Sequence, residues 1–451
     1  MTRTDGQEAR LLSAVRDGWP PSDTDDGRGY RRLALAEMRP VEALGMPRID
    51  GHEAVVVVVE AGAGGLAALP VVRRAGIWRV AAAGDGVAEA LVAVLAGGRH
   101  LSPGTRFQLE RAVPTVMSVG ERAGGVDQTN RSVVVAEALV VKWYTQPGVD
   151  GRRAATLLWH LAEVGFAGVP LLHGTLSWQA SSTDRPVVLA IVDEYLAGAR
   201  DGWEWCTEAV VEHARASHRC GSGCPAGFAG DVGRLVGALH VAIATPSAHI
   251  PGARGTAGAD EVAAWLEASL ADLQAVQAIA AADRHLLVER EAMLLEELSR
   301  LDHAGHTPIQ PVHGDLHVGQ VLNGPDGLRV IDFDGAPDYA SPDAERDSVA
   351  RDIAHLLLSL ELVVEVARTR LEADSAVALS AWGRIARSEL LEGYRQALAA
   401  RPGRVGLDER LIEPFIVRQL CHEIRYAADT LPRWRYAPMG VLARLYPATR
   451  T

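Results

Sequence analysis

The apolar positions change their period along the chain. Residues 53–59, Glu-Ala-Val-Val-Val-Val-Val, form a β-branched run that predicts a buried strand, within a β-like stretch from 30 to 59. Residues 1–27 are polar and predict a helix start followed by a loop. Gly62, Gly64 and Gly65 mark a turn, and 69–72 and 77–81 predict two further strands. Gly84-Asp85-Gly86 then leads into a helix over 87–95, with Val87, Leu91, Val94 and Leu95 on one face. A second β unit over 109–147 has strand patterns at 115–120, 133–135 and 138–144, around a polar, glycine-containing loop at 124–132. A helix is predicted over 151–164 and a strand over 187–192. Beyond 199–205, which opens a helix, apolar residues recur at three-and-four spacing. Helices follow over 232–242, 261–281, 284–300, 347–362, 377–398 and 411–431, with a short tail after Pro432. Strands early and helices late predict an α+β chain. A length of 451 residues exceeds one compact core. The expected division is 1–108 as an N-terminal cap, 109–196 as a β-rich nucleotide-binding lobe, and 197–451 as a helical lobe with the catalytic loop.

Candidate chemistry concentrates in residues 310–338. His313-Gly-Asp315-Leu-His317-Val-Gly-Gln320 places a carboxylate and an amide five residues apart on one loop. A turn signal at Asn323-Gly324-Pro325-Asp326-Gly327 predicts a hairpin that delivers Asp332 to the same place. Phosphoryl transfer needs a base for the acceptor hydroxyl and hard oxygen ligands for magnesium. Asp315 suits the base, and Gln320 with Asp332 suits the metal. Asp-Phe-Asp alone is a common string, and a buried His-Gly-Asp can be a hydrogen-bonded turn; the spaced set outweighs both.

Composition narrows the partners. The chain is 48% hydrophobic and 23% charged, as in an ordinary globular protein. A net charge of −12 argues against nucleic acid or an anionic membrane as a partner through bulk charge. No apolar run reaches membrane length and the first residues lack an apolar signal core, so a cytoplasmic location is expected. Cys220-Gly-Ser-Gly-Cys224, with His213 and His218 upstream, could clip zinc or form a local disulfide; a glycine-rich surface loop with incidental thiols is the plainer alternative. Lys142 is the chain's single lysine, the other 44 of its 45 basic residues being arginine. A compact point charge kept on an apolar strand suits nucleotide phosphates better than a snorkelling surface role. Asn130 and Ser132, on the polar loop before that strand, can add donors over the same phosphates.

Lys142, Glu194-Tyr195, the His313–Gln320 signature and Ile331-Asp332-Phe333-Asp334 together resemble the aminoglycoside-phosphotransferase and maltokinase branch of the bilobal protein-kinase-like fold. Asp127-Gln128-Thr129-Asn130, Gly202-Trp203-Glu204, Glu423-Ile-Arg425-Tyr426 and Pro432-Arg-Trp434 extend the likeness over most of 110–440, and over 1–108 it is positional only. Gln310 ahead of His313, and Asp-Phe-Asp in place of Asp-Phe-Glu, bring the chain nearest to the bacterial glucosamine kinases. The resemblance implies ATP and Mg2+ as cofactors, with adenine bracketed by Glu194, Tyr195 and Leu196. It implies a small-molecule sugar facing Asp315, His317, His422, Glu423, Arg425 and Trp434, with Asp429 as a further contact, in a monomer or homodimer. Helix-surface carboxylates paired with Arg425 or Arg433 are the plainer alternative for Glu423 and Asp429. One departure stands out: residues 152–158 lack the helix glutamate that usually orients the lysine, and Glu163 lies further along. Glucosamine is the favoured acceptor; maltose, an aminoglycoside, or a catalytically silent nucleotide-binding module are the alternatives.

Overall fold

The computed structural model describes residues 5–19, 35–48, 51–62, 65–97, 101, 105–113, 119–124, 130–146, 148, 151–216, 227–279, 284–336, 346–372, 376–401, 403 and 405–447. Asp127-Gln128-Thr129, His218, Cys220 and Cys224 lie outside them. The chain divides into two compact units, Met1–Ala162 with Pro170–Ala197, and Glu163–Val169 with Gly198–Thr451.

The first unit opens with α1 (Asp5–Asp17) and an antiparallel meander of β1 (Arg39–Gly45), β2 (Glu53–Glu60), β3 (Leu66–Arg74) and β4 (Ile77–Val80). Next come α2 (Val87–Ala96), β5 (Phe107–Arg111), β6 (Glu121–Ala123), β7 (Arg131–Val135), β8 (Leu139–Trp143), α3 (Arg152–Glu163), β9 (Leu172–Trp178) and β10 (Val187–Glu194). The last six strands form a sheet in the order β5-β9-β10-β8-β7-β6. The valine run of β2 is continuous because both its faces are covered. Val56 and Val58 enter a core shared with α2 and the six-stranded sheet, whereas Val55, Val57 and Val59 meet Val15 of α1 and Trp78. The Glu121 carboxylate at the start of β6 accepts N–H groups of Gly84, Gly86, Ala88 and Glu89 at 2.6–3.1 Å, closing the N-terminus of α2 with a negative charge. The sequence pattern misses β5 and β9; in β9 the sequence Leu-His-Gly-Thr-Leu-Ser-Trp dilutes the apolar alternation.

The second unit contains α4 (Gly202–Ala216), α5 (Ala229–Ile243), β11 (Gly255–Ala257), α6 (Ala259–Ile279), α7 (Arg284–Val288), α8 (Glu291–Ser299), β12 (Thr307–Ile309), β13 (Val321–Gly324), β14 (Gly327–Val330), α9 (Val349–Arg368), α10 (Ala376–Ala399), α11 (Ile412–Asp429) and α12 (Tyr436–Leu445). Helix α9 is buried along almost its whole length and packs against α4, α10, α11 and α12. Two expectations need correction. The helix predicted over 284–300 is two, interrupted by a turn at 289–290 where the buried Arg290 guanidinium donates to the Leu286 carbonyl at 2.9 Å. The expected short C-terminal tail contains α12, whose Ala437, Met439, Val441 and Leu442 are buried. Among the described residues no helix is long and apolar enough to cross a membrane.

Candidate active site

The 310–332 loop is held from three sides within the second unit. Its entry is a bridge in which Gln310 and Asp347 exchange backbone hydrogen bonds of 3.0 and 2.8 Å, while the buried Gln310 side chain donates to the His240 carbonyl at 3.0 Å. Its middle lies against the first turn of α4. A Cβ on Gly202 would sit 1.6 Å from the Val318 carbonyl oxygen, so only glycine admits this approach. Trp205 of α4 donates from its indole to the Val321 carbonyl at 3.0 Å. From α9, Ser359 Oγ accepts the Val318 N–H at 3.0 Å.

The third anchor is Asp352, in the first turn of α9. Its buried carboxylate accepts the N–H groups of His313 (2.7 Å) and Gly314 (2.9 Å), and faces His240 Nε2 at 3.0 Å; His240 in turn contacts the Tyr394 hydroxyl at 2.8 Å. Burial pushes the Asp352 pKa upward, but the His240 contact and the neighbouring charges and N–H donors overcome it and hold the group at about 2. His313 is fully buried, with Nδ1 accepting the Asp315 N–H at 3.3 Å and Nε2 facing the Ile331 carbonyl at 2.9 Å. That geometry requires a neutral ring protonated on Nε2, and burial lowers its pKa accordingly.

The hairpin forms as expected, β13 and β14 pairing from Val321↔Val330 to Gly324↔Gly327. The Ile331 N–H donates to the Gln320 carbonyl at 3.0 Å, so the exit of the hairpin adjoins Gln320. Asp332 follows with φ +64°, a strained left-handed conformation for a non-glycine residue that is found where a site demands it. Among the described residues no group of three or more His, Cys, Asp or Glu could hold a metal. One carboxylate and one amide oxygen nevertheless fit magnesium, which takes its other oxygens from water and phosphate.

Beyond Asp315 the structure gathers residues from α4, α9, α11 and the segment after it. His355 of α9 is buried between two carboxylates, with Nδ1 3.6 Å from Asp315 Oδ1 and Nε2 3.7 Å from Glu423 Oε1. Burial lowers the His355 pKa and the two carboxylates raise it, with a net rise. Burial works against ionisation of Glu423, and His355 with its neighbours holds its pKa below the ordinary value. Gln419 Nε2 lies 3.2 Å from both His355 Nε2 and Glu423 Oε1. The His317 ring lies tilted at 5.2 Å from His355 and 5.6 Å from Trp203, and Trp203 meets Trp434 edge-on at 5.4 Å.

Asp315, His317, Glu423 and Trp434 are thus linked through contacts, with His355, Gln419 and Trp203 added to the predicted set. The other predicted residues of α11 point elsewhere. Arg425 donates to Asp272 of α6 at 3.1 Å, alongside Arg418, and neighbours His422 Nδ1 at 3.3 Å. Asp429 is exposed at the end of the helix. Glu423 itself contacts His355 and Gln419. A cavity of about 640 Å³ lined by Glu361, Arg387, Glu413, Arg444 and Tyr446 lies elsewhere in the unit and includes none of these site residues.

In the first unit, Lys142 stands opposite Ser132 on one neighbouring strand and Ile191 on the other, half-buried, with Nζ 5.7 Å from the Tyr144 ring centre. Asn130, just before β7, is buried. The Glu194 carboxylate accepts the Leu171 N–H at 3.2 Å, the Tyr195 N–H donates to the Ala138 carbonyl at 2.7 Å, and Leu196 is half-buried. The Tyr195 hydroxyl meets Arg122 at 2.9 Å. Glu163, the candidate partner for the lysine, belongs to the second unit and accepts the Ala248 N–H at 3.1 Å through both oxygens.

No protein-family model matches the chain. It is 34% identical over 425 residues to the glucosamine kinase of Streptacidiphilus jiangxiensis, covering 93% of this chain and 94% of that protein. It is 35% identical over 388 residues to the glucosamine kinase of Mycolicibacterium smegmatis, covering 84% of this chain and 93% of that protein. A solved glucosamine kinase in complex with glucosamine, ADP and inorganic phosphate matches with a TM-score of 0.75 at 32% identity, covering 91% of this chain and 94% of that one. The chain is therefore a kinase-like phosphotransferase with an alcohol acceptor. Within that class it belongs to the glucosamine kinase family.

Proposed function

We propose that the protein transfers the γ-phosphoryl group of ATP to a hydroxyl of glucosamine, giving glucosamine 6-phosphate. The observation that carries this reading is the pair of carboxylates, Asp315 and Glu423, facing one buried imidazole. One carboxylate suits a base and the other an ammonium group, which is what an amino sugar brings to a kinase. In this reading Asp315 takes the acceptor hydroxyl's proton as the oxygen attacks the γ-phosphorus, a role worth about 10²–10⁴ in rate. Glu423 receives the sugar's ammonium. Trp434 and Trp203 offer aromatic faces to the apolar C–H side of the ring. Magnesium, held by Asp332 and Gln320, would neutralise charge on the phosphates. Within the first unit, Lys142, Asn130 and Ser132 are the candidates for the nucleotide's phosphates and Glu194–Leu196 for its adenine.

The amine reading has a direct test. Glu423→Gln should raise the KM for glucosamine about 10–100-fold, the loss expected when a hydrogen bond between charged groups is removed, with the KM for ATP unchanged. Steady-state kinetics in both substrates reads the result. An unchanged glucosamine KM would take Glu423 out of the sugar site.

A further inference from the structure

We propose that His355 is a positioning residue whose imidazolium bridges Asp315 and Glu423 and so keeps both carboxylates ionised in one acceptor site. The inference rests on the glucosamine kinase reading for the roles of those two carboxylates.

Geometry carries it. His355 lies three residues after Asp352, so the helix that clamps the 313–314 backbone also presents the ring to Asp315. Its side chain is 6% exposed, and each ring nitrogen lies within ion-pair distance of a different carboxylate, at 3.6 and 3.7 Å. A neutral imidazole has one N–H and one lone pair, and in either tautomer it would turn the lone pair towards one of the two carboxylates. Two carboxylates converging on one buried ring repel, and such repulsion favours one of them keeping its proton. A protonated base cannot accept the hydroxyl's proton, and a protonated Glu423 cannot hold an ammonium by charge. The imidazolium removes both difficulties.

The groups around the ring agree. From the loop come Asp315 and His317; His317 Nδ1 accepts the Gly319 N–H at 3.0 Å, so that nitrogen carries no proton. From α11 come Glu423 and Gln419, and from α9 itself the Asp352 charge. The one competing arrangement has the Gln419 amide donating to a neutral Nε2 across their 3.2 Å contact. It leaves Asp315 as the sole acceptor for the ring.

Histidine-selective NMR titration of the full chain separates the two, with His355→Gln assigning the signal. The expected result is a His355 midpoint above the ordinary value of 6.5 that falls in both Asp315→Asn and Glu423→Gln. A midpoint at or below 6.5, or one indifferent to both substitutions, overturns the proposal. Kinetics supplies the second readout. The acid limb of kcat/KM for glucosamine should move up by about one pH unit in His355→Gln, the shift of a carboxylate that loses a neighbouring opposite charge. The sugar's amine stays protonated throughout that limb and does not contribute. A limb that coincides with wild type in a variant of unchanged thermal stability also overturns the proposal. If the wild type turns over no glucosamine, the reaction reading fails, and the NMR midpoints still decide the state of His355.

Discussion

Asp315→Asn lowers kcat on glucosamine by about 10²–10⁴-fold while ATP binding is kept, because the substitution removes the proton acceptor and leaves the candidate nucleotide residues untouched. The side chain is 27% exposed, and its contact with His355 spans 3.6 Å, so the amide can be accommodated in place without an unpaired buried charge. The backbone that carries it is fixed independently, through His313 and Asp352. Single-turnover kinetics gives the chemical step, and fluorescence titration with a nucleotide analogue gives binding. Retained turnover would move the base to another residue; lost nucleotide binding would mean that the substitution has disturbed more than the acceptor side.

The largest effect on stability belongs to Asp352. Asp352→Ala leaves the His313 and Gly314 N–H groups and His240 Nε2 facing a void where a buried charge stood. Loss of one partner from such a buried charged network costs about 3–5 kcal/mol, measured as a shift of the urea midpoint near neutral pH. Activity should fall with stability, since the backbone of the His313–Asp315 segment loses its acceptor. The same residue predicts a pH dependence. Its pKa falls from an ordinary 3.8 to about 2 on folding, so the unfolded chain binds the proton more readily than the folded one. The resulting contribution, about 2 kcal/mol, is fully present above pH 3.8 and is lost as the pH falls towards 2. Asp352→Asn should lack this component of the acid transition. An acid limb of stability identical in the variant and the wild type would remove Asp352 as its source.

Much of the candidate site was legible in the sequence because it lies on one continuous segment. Asp315, Gln320 and Asp332 are joined by a loop and a tight hairpin, and local turn signals place such residues without knowledge of the wider packing. The valine run of β2 was legible for a similar reason: complete burial erases the alternation and leaves an unbroken apolar string. The acceptor side was harder. His355 lies more than sixty residues before Gln419 and Glu423, and only the packing of α9 against α11 brings all three to Asp315. A signal was present in α9, where the polar residues Asp352, His355 and Ser359 recur at three-and-four spacing among buried apolar ones. Buried polar residues at such spacing are costly unless they have partners, so they mark a helix face that meets polar groups. Helix phase also bears on α11. At 3.6 residues per turn, Arg425 stands about 200° around the helix from Glu423, which directs it to Asp272 on α6 and away from His355.

The most direct measurement is ADP release by the protein with ATP and magnesium, in parallel on glucosamine, N-acetylglucosamine, glucose, maltose and kanamycin. The family and the Asp315–His355–Glu423 arrangement predict turnover on glucosamine and none on its N-acetyl form, because acetylation removes the ammonium that Glu423 would hold. Turnover confined to maltose or kanamycin, or equal rates on glucosamine and N-acetylglucosamine, would contradict it.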